Sequence, residues 1–163
     1  MSRFGRIVVG LDASEGARRA LRFAVDLAFE LDAEIVGVHG RGLLEEAMAP
    51  GEQADLVGQR SLPPGSEGDE SFEQQMEAWL SEIVSEHGAG EGAGRSAGLP
   101  RHRWRVVEGN PVMALVAAGR AEDASMIVVG SRGAGGFAGL VLGSTSQQLA
   151  LHADRPVVIV PGP

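Results

Sequence analysis

The chain has 163 residues, fourteen basic and twenty-two acidic, with a formal charge of −8, 44% apolar residues, no tyrosine and no cysteine. Length and composition fit one domain with an aliphatic core, and they exclude a disulfide framework, a thiolate site and non-specific nucleic-acid binding. No stretch reaches the roughly 18 apolar residues of a membrane span, and Arg3-Phe-Gly-Arg6 before a short apolar run does not make a signal peptide, so a cytoplasmic protein is expected.

In chain order, Phe4 to Leu11 reads as a first strand, its centre apolar on both faces as in a covered parallel sheet. Asp12 follows at its carboxyl end and Ser14 is placed to cap the next helix, expected over 15–31. Ala17, Leu21, Ala24, Val25, Ala28 and Leu31 form its inner stripe, with an Arg22–Asp26 pair expected on the outside. Glu34 to His39 is the second strand, completing a right-handed βαβ unit.

Residues 41–69 carry scattered prolines and glycines and predict a flexible insertion with at most a helical turn or two. A second helix follows over 70–87, with Phe72, Met76, Trp79, Leu80, Ile83 and Val84 as its core face. Residues 88–99 read as a glycine-rich surface linker. The third strand, 101–107, opens on alternating arginines, which suits a sheet edge. Asn110-Pro111 then starts a third helix, asparagine as cap and proline in the first turn.

Ser125 to Val129 is a fourth strand that stops abruptly at Gly130-Ser-Arg-Gly-Ala-Gly-Gly136. Glycines allow close backbone approach, and Ser144 with Gln147 makes a capping box for a fourth helix, expected over 145–153. Such a turn feeding a helix N-terminus suits phosphate, although a ligand-free loop fits the local chemistry equally well. Arg132 is open between a phosphate contact and solvent. Pro156 to Val160 is the fifth strand. The alternation predicts a doubly wound parallel sheet whose ligand sits beyond the strands' carboxyl ends, with Asp12 facing the 130–146 loop.

Other chemistries fit poorly. The four histidines lack metal-ligand spacing. Ser144, His152 and Asp154 supply three triad residue types but no nucleophile elbow. The stretch from Gly130 to Ser146 contains no lysine, so a bound nucleotide is expected to be held rather than rapidly hydrolysed.

Gly130, two residues, Gly133, nine residues and Gly143-Ser144, together with Ile7-Val-Val-Gly-Leu-Asp12-Ala-Ser14 and His152-Ala-Asp-Arg-Pro-Val-Val-Ile-Val160, resemble the universal stress protein family in its ATP-binding branch. The resemblance covers most of the chain outside 41–69 and 88–99. It implies a Rossmann-like, adenine nucleotide alpha hydrolase-like sheet ordered 3-2-1-4-5, a homodimer through Val157–Val160, and ATP in the crevice. It places Asp12 at the ribose or phosphates, Val38 near adenine, and Val129 and Gly130 beside the nucleotide. Gly133, Gly143, Ser144, Thr145 and Ser146 would hold the phosphates, with Mg or Mn as an open question. Two departures stand out: Ser125 replaces the family's usual Asp, and the acidic insertions are long. The implied role is a nucleotide-dependent regulatory module of the stress response. A slow ATPase or phosphotransferase and a ligand-free dimeric scaffold are the alternatives.

Overall fold

The computed structural model describes residues 5–41, 67–88, 98–132 and 142–162, and for 67–69 and 88 the backbone alone. The expected insertions therefore fall largely outside the described residues, as does Gly133. In order, the elements are β1 (Arg6–Gly10), α1 (Glu15–Leu31), β2 (Glu34–Arg41), α2 (Glu67–Gly88), β3 (His102–Glu108), α3 (Pro111–Ala121), β4 (Met126–Gly130), α4 (Ser144–His152) and β5 (Val157–Val160). The strands form one parallel sheet in the order β3-β2-β1-β4-β5, as expected.

Period-two alternation divides each apolar strand between two cores. Ile7, Val9, Ile35 and Val128 face α1 and α2, where they meet Leu21, Val25, Met76, Leu80 and Ile83. Val8, Val36, Ile127 and Val129 face α3 and α4, against Val112, Leu115, Val116 and Leu149. Both faces are thus covered, which is why the strands read as continuous apolar runs.

The helices begin where their caps dictate. The Ser14 hydroxyl accepts from Ala17 N at 3.1 Å. The buried Asn110 side chain accepts from Val112 N at 2.8 Å and Met113 N at 3.3 Å, with Pro111 next in line. Gly109 before it has φ +113°, a conformation that suits glycine. Asn110→Ala is expected to destabilise by about 1–2 kcal/mol, because a buried donor at Val112 and a partly buried one at Met113 lose their acceptor. Urea unfolding should show a lower midpoint at unchanged m-value, and an unaltered midpoint would remove the cap from the argument.

The surface pairs differ from the helix-internal pattern. Arg22 pairs with Glu86, and Asp26 with His87 at 3.1 Å, so both reach across to α2 rather than to each other. The basic start of β3 does lie at a sheet edge, where Arg103 and Arg105 share Glu122 and Trp104 donates to Glu77 at 2.7 Å.

Candidate functional site

The crossover after β1 runs to β2 on one side, while β4 lies on the other side of β1. The strand order reverses there, and the turns after β1 and β4 diverge to opposite faces of the sheet, leaving a crevice between them. What lines that crevice follows from three short stretches.

The first is Leu11–Gly16. Leu11 N donates to Val38 O at 2.9 Å and prolongs the β1–β2 ladder by one step. The Leu11 carbonyl accepts from the His39 ring Nδ1 at 2.8 Å, and that ring stacks on Phe72 of α2 with centroids 4.7 Å apart. Asp12 then turns the chain. Its carboxylate accepts from Ser14 N at 3.1 Å and from the Ser14 hydroxyl, so Asp12 buttresses the cap rather than being the cap.

The second stretch is Val129–Arg132. A Cβ on Gly130 would stand 2.6 Å from the Gly16 carbonyl carbon and oxygen, and one on Gly16 would collide with the Arg132 carbonyl. Two glycines therefore let the first turn of α1 lie directly on the exit of β4. Gly16 had no signal of its own in the sequence beyond the mild penalty of glycine in a helix. The side chains of Val38 and Val129 are core, 1% and 4% exposed, and the Val38 carbonyl is taken by Leu11 N, so neither residue presents a side chain to the crevice.

The third stretch is Gly143–Ser146. Gly143 N donates to Ser131 O at 2.6 Å, and the buried Ser146 hydroxyl lies 3.0 Å from the same oxygen and 2.9 Å from Gly143 O. These bonds lock the start of α4 onto the turn after β4. They also correct the expected capping box: Gly143 is the N-cap, in extended conformation, and Ser144 is already the first helical residue. Among the described residues no side chain caps α4, unlike α1 and α3. Among those residues no acceptor outside the helix takes the backbone N–H groups of its first turn, and the partial positive charge there favours an anion.

Asp12, Val38, Val129, Gly130, Gly143, Ser144, Thr145 and Ser146 thus cluster at or beside the carboxyl ends of β1, β2 and β4 or in the first turn of α4. Asp154 forms no triad. The Arg120 hydrogen bond at 2.6 Å holds its carboxyl below the ordinary range, and its charge is spent on that ion pair. Among the described residues no group of three or more His, Asp and Glu side chains could hold a metal, and no helix is long and apolar enough to cross a membrane.

Residues 3–161 match the model of the universal stress protein family. Universal stress protein Rv1636 of Mycobacterium tuberculosis is 32% identical over 164 residues, 98% of each chain. Among solved structures, a universal stress protein in complex with cAMP superposes with a TM-score of 0.59 at 24% identity, over 99% of this chain and 98% of that one. A universal stress protein from Archaeoglobus fulgidus in complex with dAMP gives 0.57 at 21% identity, over 96% and 97%. At those identities the two structures establish the shared fold.

Proposed function

The chain belongs to the universal stress protein family, and we propose that it binds ATP in the β1–β4 crevice and acts as a nucleotide-dependent regulatory module of the cytoplasmic stress response. The observation that carries this reading is the uncapped start of α4, held against the β4 turn by Gly143 and Ser146. Two adenine nucleotides in relatives of the same fold, cAMP and dAMP, support an adenine ligand here.

In this reading the Ser144, Thr145 and Ser146 N–H groups receive the phosphates, and Gly130 and Gly133, lacking side chains, let them approach closely. The single Ser146 hydroxyl proton is already shared between the Ser131 and Gly143 carbonyls, so its backbone N–H is its contribution. The Asp12 carboxylate takes a ribose hydroxyl, and the main chain at Val38 borders the base. Mg or Mn, if it accompanies the phosphates, would be held by phosphate oxygens and water, since Asp12 is engaged by Ser14 and the ribose. Two such chains would associate through β5.

A branched side chain at the α4 cap would stand over the phosphates. Gly143→Val is expected to weaken ATP at least tenfold by titration calorimetry, about 1.4 kcal/mol, in a variant whose thermal unfolding shows it folded. Unchanged affinity would place the phosphates away from α4.

A further inference from the structure

Arg19 and Arg132 are far apart in sequence and come together beyond the end of β5. Gly16 seats α1 on the turn after β4, and Arg19 lies three residues on, along the same face of the helix. Arg132 is the second residue past β4. The chain leaving β5 is tied to the same turn, since Ser131 N donates to Val160 O at 2.8 Å and Gly162 N donates to the Ser131 hydroxyl at 3.1 Å.

These constraints converge on one point. Where a Cβ on Gly162 would stand, Arg19 Nη2 is 3.2 Å away, and Arg132 Nη2 and Ser131 Oγ are each 3.8 Å away. The Ser131 oxygen accepts from Gly162, which leaves its hydroxyl proton free to donate elsewhere. Two guanidinium groups and a hydroxyl thus gather beside the glycine, where even a methyl group would be tight against Arg19.

The two charges are unanswered among the described residues. Arg18, Arg103 and Arg155 face Glu82, Glu122 and Asp123 respectively, whereas neither Arg19 nor Arg132 meets a carboxylate. Arg19 Nε is in addition buried without a hydrogen-bond partner. Guanidinium cannot shed its proton to relieve the repulsion, so an anion between two such groups would be favoured over water there.

We propose that Arg19, Arg132 and Ser131 form an oxyanion site for a phosphate group at the carboxyl end of β5. Two forked cations match the nearly doubled charge and the several oxygens of phosphate, whereas a single carboxylate would leave one positive charge over. The group is either free phosphate or the terminal phosphate of the nucleotide, and only the second source rests on the nucleotide reading.

Calorimetry at low, fixed ionic strength with inorganic phosphate, AMP and ATP tests this on the wild type, Arg19→Gln and Arg132→Gln, with Arg19→Lys as the charge-retaining control. The wild type should bind inorganic phosphate, each glutamine variant should weaken it at least tenfold, and the lysine variant should lose less. ATP falling tenfold in the glutamine variants while AMP is unchanged assigns the site to the terminal phosphate. ATP unchanged, with phosphate binding alongside it, assigns the site to free phosphate. Phosphate binding without any nucleotide binding would contradict the nucleotide reading and leave this site standing. A wild type that ignores inorganic phosphate, with ATP unchanged in the variants, overturns the proposal. Equal losses of AMP, ATP and thermal stability would do so too, because the arginines would then act through the fold.

Discussion

Gly16→Ala is expected to destabilise the protein by about 3 kcal/mol, at the upper end of ordinary overpacking, because the new methyl meets backbone that cannot rotate away. The atom in its path is the Arg132 carbonyl oxygen, and the Gly130 position is closed against Gly16 from the other side. The first turn of α1 must then move off the exit of β4. For a chain of this length the melting temperature should fall by roughly 6–12 °C. Gly5→Ala is the matched control: an added Cβ meets nothing within 4 Å there, and its effect should stay within about 0.5 kcal/mol. Because the same contact aligns Asp12 with the 130–132 turn, ATP affinity should fall together with stability. A Gly16→Ala protein as stable as the Gly5→Ala control would show that the two turns are not in contact.

Ile159→Pro should convert a dimer into a monomer. A parallel ladder engages alternate residues of a strand. Ile127 N donates to Pro156 O at 2.9 Å and Ser131 N to Val160 O at 2.8 Å, so the even-numbered residues of β5 face β4. The backbone groups of Val157 and Ile159 therefore point to the outer edge, which no other described strand covers. Proline at 159 removes one outward N–H without breaking the pairing with β4. If two β5 edges meet across a two-fold axis, two hydrogen bonds disappear, at about 1–1.5 kcal/mol each, so dissociation should strengthen roughly a hundredfold. Ile159→Ala controls for the lost side chain, which packs against the α3–α4 core. Light scattering at matched micromolar concentration decides: a monomeric wild type, or a proline variant as dimeric as the alanine one, places the interface elsewhere.

The strands and the caps at Ser14 and Asn110 were legible because each has a local cause, whereas the strand order followed only from the family resemblance. Apolar β-branched runs ending at glycine gave β1 and β4, and asparagine before proline marked the start of α3. The shift of the α4 cap from Ser144 to Gly143 was not legible, since it is fixed by a bond from Gly143 N to Ser131, outside the capping motif itself. Arg22 and Asp26 had the spacing of a pair, but α2 supplies Glu86 and His87 as competing partners. Gly16 and Arg19 carry the same lesson. What requires the glycine is a carbonyl at Arg132, and what gives Arg19 its meaning is Gly162, neither of which helical periodicity can register.

Backbone amide shifts on titration with ATP test the nucleotide reading most directly, because one spectrum reports both binding and place. The largest changes should fall on Ser144, Thr145 and Ser146, whose N–H groups form the uncapped start of α4, with smaller ones at Asp12, Gly130 and Ser131. A protein whose amides stay still at millimolar ATP, or shift only along α2 and β3, would contradict a nucleotide at the β1–β4 crevice.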